Sequence, residues 1–256
     1  MPDNPTKGAA ITLPDQALIH PTREPGEAPV SPRVILAFTR PDYHNLCRLS
    51  GAAGPPRYLW DCALHEGSWA GKSITVAGPA LGAPYAVMVL ERLIALGAKT
   101  VLALGWCGSL QSQVKVGSLV LPTAAVSGDG TSPHYLPGHL QPSPQPGLCQ
   151  RLQHQLEGAE IPWHAGPIWT TDAFYRETVE QVSRHQSQGV LGVDLEVAAL
   201  FAVGQFRQVA VAGLLVVSDE LAELAWRPGF STPAFRQGRR VATRVVLEAA
   251  AAAETH

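Results

Sequence analysis

The sequence is short of the patterns that mark several large enzyme classes. Nine histidines are present, yet none stands in an H-E-x-x-H pair, which argues against a metal hydrolase. No G-x-S-x-G occurs, so the usual serine-hydrolase elbow is missing. There is no G-x-G-x-x-G and no complete G-x-x-x-x-G-K-[ST] phosphate loop. A dinucleotide-dependent oxidoreductase therefore has only a general fold class in its favour. The four cysteines (Cys47, Cys62, Cys107 and Cys149) are widely and irregularly spaced and include no C-x-x-C. That excludes a zinc site or disulfide scaffold as the organising device and suits a reducing cytoplasm. Charge is also sparse, at 16% of residues and a net of −2. No broad positive field exists to hold nucleic acid or an anionic membrane. No uncharged apolar run reaches membrane-spanning length, and the first residues carry no basic-then-apolar leader pattern.

What remains is a globular composition, with 46% hydrophobic residues in a chain of 256. That is long enough for a sizeable buried core. Residues 1–32, rich in Pro, Thr, Asp and Glu without periodicity, are predicted to form an extended arm. From Arg33 onward apolar runs alternate with helical patterns, and residues 33–256 are read as one domain. Strands are predicted at Val34–Phe38, Leu59–Leu64, Ser73–Ala77, Thr100–Leu104, Ser118–Leu121, Trp163–Trp169, Gly189–Val193 and Val209–Val217. Helices are predicted at Pro84–Leu96, Leu148–Leu156, Phe174–His185, Leu195–Phe206 and Phe235–Ala251. A long loop is expected over Ser127–Gly147. Strands that are apolar throughout require cover on both faces. The expected architecture is a single three-layer α/β/α domain with a mixed, largely parallel central sheet.

In such sheets ligands bind beyond the carboxyl ends of the strands, which directs attention to four loops. Asp194 and Glu196 follow one buried strand and open a helix. Two acids there have an ordinary role in offsetting the helix dipole; as site residues they would accept hydrogen bonds from sugar hydroxyls. Ser218, Asp219 and Glu220 follow the most apolar strand. A helix cap is again the ordinary reading, and a proton-sharing acid the functional one. Thr171-Asp172-Ala173-Phe174-Tyr175 supplies aromatics able to stack on a flat ring. Gly105 and Gly108, flanking Trp106 and Cys107, would let backbone N–H groups approach an anion, although G-x-x-G alone is a weak signal.

Together and in this order, these segments resemble the purine and uridine phosphorylase superfamily, which also contains nucleosidases. Gly192-Val193-Asp194-Leu195-Glu196-Val197-Ala198-Ala199 is similar to the family's G-[VF]-E-M-E-A-A segment. Val217-Ser218-Asp219 resembles its S-D segment, and Thr171–Tyr175 its base-pocket segment. Gly78–Gly82 with Leu96-Gly97-Ala98-Lys99, and Gly128–Tyr135, resemble two further stretches. The resemblance runs from about Arg33 to the end.

It implies that Glu196 binds ribose hydroxyls and that Asp219 protonates or hydrogen-bonds the leaving base. Phe174, Asp194, Leu195, Ser218, Gly105, Trp106 and Cys107 would line the substrate site. Arg40 and Arg57 would serve phosphate, with Arg57 and His20 lent to a neighbouring subunit of a homo-oligomer. No metal or organic cofactor is implied; inorganic phosphate is the expected co-substrate.

The chain departs from the pattern in three places. Phosphorolytic members carry an arginine where this chain has Ala103 and a small hydroxyl residue where it has Trp106. Asp194 replaces the usual glutamate. Arginine is the natural bidentate clamp for phosphate. The sequence thus leaves three readings: phosphorolysis of a purine or pyrimidine nucleoside, hydrolysis of one, or nucleoside binding without catalysis.

Overall fold

A computed structural model of the chain describes residues 17–252. Residues 1–16, half of the expected arm, lie outside the described residues. The strands are β1 (Arg33–Ala37), β2 (Arg57–Leu59), β3 (Cys62–Trp69), β4 (Lys72–Gly78), β5 (Thr100–Ser109), β6 (Leu119–Gly128), β7 (Trp163–Thr171), β8 (Gly192–Asp194), β9 (Ala210–Glu220) and β10 (Arg227–Pro228). The helices are α1 (Arg40–Leu49), α2 (Ala83–Ala95), α3 (Pro146–Glu157), α4 (Val179–Ser187), α5 (Val197–Arg207) and α6 (Pro233–Ala251).

The sheet is mixed, and its order is β10-β9-β6-β7-β8-β5-β1-β4-β3-β2, with β9 also paired to β5. That extra pairing closes β5, β8, β7, β6 and β9 into a ring. The long pairings β5–β9 and β6–β7 are parallel. Antiparallel pairing is found where β2, β3 and β10 extend the edges and where β8 and β6 close the ring.

Side-chain alternation along the strands explains the three layers. Val34, Leu36, Val101, Ala103 and Val211 point to one core with α2 and α5. Ile35, Ala37, Leu102, Leu104, Ala212 and Leu214 point to the other, with α1, α3 and α6. Helix α5 is buried along nearly its whole length, as expected for a helix apolar on all sides.

Several expectations need adjustment. Helix α1 lies where the sequence reading places no helix; Pro41 sits in its first turn, where its missing N–H costs nothing. The helix expected over Phe174–His185 is a short 3₁₀ turn (Phe174–Arg176) followed by α4. A capping box between Thr178 and Gln181 sets that later start. The expected loop over Ser127–Gly147 is shortened by β6 and interrupted by a 3₁₀ turn at Ser132–His134.

From Thr22 onward the arm is tied to the domain surface. Val30 is buried, and its N–H donates to Leu96 O at 3.1 Å. Arg92 pairs with Glu27 at 2.8 Å. Arg57 donates to the carbonyls of Ala28 (2.7 Å) and Pro29 (3.2 Å).

Gly105 in β5 is fixed by packing. A Cβ there would lie 2.1 Å from Cδ2 of the buried Phe38 ring. Gly105→Ala is therefore expected to cost about 1–3 kcal/mol by overpacking, seen as a lower melting temperature in a thermal unfolding scan.

Candidate active site

The carboxyl ends of β1, β5, β8 and β9 converge on a cavity of about 200 Å³. Phe38 and Thr39 reach it from β1, and Trp106, Cys107 and Gly108 from β5. Val193 to Glu196 come from the junction of β8 with α5, Ser218 and Asp219 from β9. Phe174, Glu177, Leu81 and Phe230 complete the wall from loops. Glu196 and Asp219, the two acids proposed from sequence for opposite ends of one glycosidic linkage, thus line the same space. So do Phe174, Asp194, Leu195, Ser218, Trp106 and Cys107.

The other proposed residues are placed elsewhere. Gly105 lies behind Phe38. Arg40 is exposed in the first turn of α1. Arg57 holds the Ala28–Pro29 backbone and lies 3.6 Å from Glu66. His20 lines a separate surface groove with Trp60 and Met88.

Asp194 is saturated with donors. It accepts from Thr170 Oγ1 (2.5 Å) and from the N–H groups of Glu196 (3.1 Å) and Val197 (2.8 Å). It thus ties down N–H groups at the start of α5, while it still lines the cavity. Burial raises its carboxyl to about 6, opposed by those hydrogen bonds. Glu196 Oε1 accepts the Gly82 N–H at 2.7 Å. Burial, with the Asp194 charge second, pushes it well above the usual carboxylate range. With fewer donors than Asp194, Glu196 is the better holder of a proton shared by the two.

Asp219 accepts from Ser218 Oγ (2.6 Å) and Trp226 Nε1 (3.0 Å). Burial raises its carboxyl above the ordinary value, against those two bonds. Glu177 is raised to about 7 by burial and then by the Asp219 charge. For these groups the folded state binds protons more readily than the unfolded state. Their stabilising contribution is complete below the unfolded value near 4.5 for Glu and is lost as pH rises through the folded value. The ligand-free melting temperature is expected to fall between pH 5 and about 7.5 on this account. Glu177→Gln should make that decline shallower in a pH series of thermal scans.

Behind the cavity wall, Trp106 Nε1 donates to Asp42 Oδ2 at 2.6 Å, and Arg239 Nε donates to Asp42 Oδ1 at 2.7 Å. The Arg239 guanidinium lies 5.3 Å from the Trp106 ring, and Phe235 packs edge-on at 5.0 Å. The indole is thus locked in place. Asp42, Arg239, Glu177, Phe230 and Trp226 were not singled out from sequence. They carry no motif, and only folding brings them together. Among the described residues, no cluster of His, Cys, Asp and Glu could hold a metal ion, and no helix is long and apolar enough to cross a membrane.

A doubly covered sheet with acids and aromatics gathered around one cavity at its strand ends defines an α/β protein with a small-ligand site. The chain belongs to the phosphorylase superfamily, whose family model matches residues 32–251. Guanosine phosphorylase from Halorubrum lacusprofundi is 30% identical over 154 residues, covering 60% of this chain and 64% of that protein. A DeoD-type purine nucleoside phosphorylase from Jannaschia sp. is 33% identical over 160 residues, covering 60% of this chain and 67% of its own length. The match thus spans about two thirds of these relatives. Uridine phosphorylase from Vibrio fischeri superposes with a TM-score of 0.78 at 25% identity, covering 87% of this chain and 94% of the other. Purine nucleoside phosphorylase from Toxoplasma gondii, in complex with immucillin-H, gives 0.79 at 22% identity over 87% and 91% and shares the fold.

Proposed function

We propose that this chain cleaves the N-glycosidic bond of a nucleoside by phosphorolysis, releasing the free base and ribose 1-phosphate. The observation that carries this reading is the convergence of Glu196 and Asp219, from separate strand ends, on one cavity that Phe174 also lines. The names of the relatives agree with it. Cleavage breaks the C1′–N bond and leaves its electron pair on the base, while positive charge builds on the ribose. Glu196 would hold the sugar hydroxyls and favour that cation. Asp219, whose carboxyl is raised by burial, would deliver a proton or hydrogen bond to the base nitrogen. Each interaction strengthens as charge develops, which is the condition for catalysis. A phosphate oxygen then forms the new bond to C1′, so phosphate is the co-substrate. The chain would work in the cytoplasm, in keeping with its free cysteines.

A second reading, hydrolysis, is favoured by one feature. The described lining includes four carboxyl residues, Glu177, Asp194, Glu196 and Asp219, and no lysine or arginine. A phosphate dianion there needs cations from elsewhere. In a homo-oligomer a second copy would supply them, and Arg57 and His20 are the residues proposed for that role. Exposed Ile19, Trp60 and Met88 line a groove of about 1000 Å³ beside His20, an apolar face suited to such a contact.

The deciding experiment incubates the protein with a panel of purine and pyrimidine nucleosides, with and without phosphate, and identifies the sugar product. Ribose 1-phosphate formed only with phosphate is the expected result. Free ribose at an unchanged rate without phosphate would establish hydrolysis, and tight binding with no turnover would overturn both. Light scattering on the same sample checks for a homo-oligomer.

A further inference from the structure

The catalytic cavity gathers four carboxyl residues and neither lysine nor arginine. A larger cavity, of about 660 Å³, has the opposite character. It lies at the other end of the sheet, where Thr100 opens β5 and its ladder partner Ala210 opens β9. Six strand steps along β5, about 20 Å, separate Thr100 from Trp106 on the catalytic cavity. Lys99 and Arg151 line the larger space, and no aspartate or glutamate does. Lys99 is exposed and Arg151 half-buried. Neither makes an ion pair among the described residues. Arg151 Nε is shut off from solvent and has no hydrogen-bond partner among them. A buried charged donor left unpaired is costly unless a bound group completes it.

Fixed polar groups surround the two cations. The Gln145 N–H donates to Val211 O at 2.8 Å, which seats the start of α3 beside β9. The Ala210 N–H donates to Lys99 O at 3.2 Å, which holds Lys99 at the same end of the sheet. Gln205 Oε1 accepts the Ser143 N–H at 3.1 Å. Gln208 closes α5 in the left-handed conformation, with φ 55°, where glycine is usual. The chain thus keeps an amide side chain on the cavity at a position that glycine would occupy with less strain.

We propose that this cavity is a second, non-catalytic binding site that takes an organic phosphate of nucleotide size. The phosphate would lie between Lys99 and Arg151, giving the guanidinium the charged hydrogen bond it now lacks. Helix α3 opens on the same space and adds the positive end of its dipole. The side-chain amides of Gln145, Gln205 and Gln208 both donate and accept, which suits sugar hydroxyls and a base edge. The volume is within the range of small-ligand sites and exceeds what a bare phosphate fills. The site stands or falls independently of the reaction at the far end of the sheet.

Calorimetry at low salt tests it, with AMP, GMP and UMP as probes and inorganic phosphate and adenosine as controls. The proteins are the parent, Lys99→Ala, Arg151→Met and the double variant. At least one nucleotide is expected to bind the parent more tightly than inorganic phosphate does. Each single substitution should weaken that nucleotide by about 10-fold or more, the scale of a hydrogen bond to a charged group. Adenosine binding and nucleoside cleavage should be unchanged, since neither residue lines the catalytic cavity. The nucleotide should raise the melting temperature of the parent and not that of the double variant. Without ligand, Arg151→Met should melt no lower than the parent, because it removes an unpaired buried donor; a clear fall would mark Arg151 as structural and overturn the proposal. Equal nucleotide affinity in the parent and the double variant would assign the nucleotide to another site and overturn it as well. So would inorganic phosphate bound as tightly as any nucleotide, an adventitious ion only, or no binding of any of the three nucleotides. Should Arg151→Met fail to fold, Lys99→Ala carries the binding test.

Discussion

Asp219→Asn is expected to lower kcat by about 10²–10⁴-fold, the usual contribution of a positioned general acid, with little change in KM and a small change in melting temperature. The asparagine amide can still accept from Ser218 Oγ or Trp226 Nε1, which hold the aspartate at 2.6 and 3.0 Å. The end of β9 should therefore keep its shape. What the substitution removes is the ability to give up a proton as the C1′–N bond breaks. Steady-state kinetics and thermal unfolding on one preparation separate the two roles. If Asp219 were only a strand-end hydrogen-bonding group, activity and stability would fall in parallel.

The next largest effect is expected at Glu196. Glu196→Gln keeps an acceptor for the Gly82 N–H, now 2.7 Å from Oε1, so the loop that opens α2 should be retained. It removes a carboxyl that can give up its proton and become anionic as positive charge develops on the ribose, and it weakens each hydroxyl contact. A loss of about 10–100-fold in kcat/KM follows from replacing a carboxyl that can ionise in the transition state with an amide that cannot. The specific readout is the ratio of activities on inosine and 2′-deoxyinosine. The parent should prefer the ribonucleoside, and the variant should lose much of that preference. An unchanged ratio would mean that Glu196 does not face the sugar.

The order of the main elements could be read from the sequence because burial leaves a strong signal. Strands β5 and β9 are apolar over most of their lengths, and α6 carries a one-sided apolar stripe. The acids at strand ends were found by the rule that ligands sit beyond carboxyl termini, sharpened by the family resemblance. Helix α1 escaped because its first turn, Arg40-Pro41-Asp42, is polar and contains proline. Its anchors, Tyr43 and Leu46, are too few to set a clear period. The start of α4 was legible in principle: Thr178 and Gln181 have the spacing of a capping box. The Asp42–Trp106–Arg239 network was beyond reach. Its members lie on three distant segments, and nothing in local composition couples them. Glu177 was hidden for the same reason; an acid next to a helix start looks like any other.

Strands β5 and β9 run side by side in step until Cys107 meets Val217; the next pair is Gly108 with Asp219. Ser218 is thus the extra residue, and its hydroxyl oxygen lies 3.2 Å from the Cys107 carbonyl and 2.6 Å from Asp219 Oδ1. Deleting it would draw Asp219 back along β9 by about 3.3 Å, one strand residue. Misplacement of about 1 Å is already enough to cost a reaction heavily. The chain's length between Val217 and Glu220 therefore acts as a ruler. Loss of a single codon there is expected to displace the acid while the sheet stays whole.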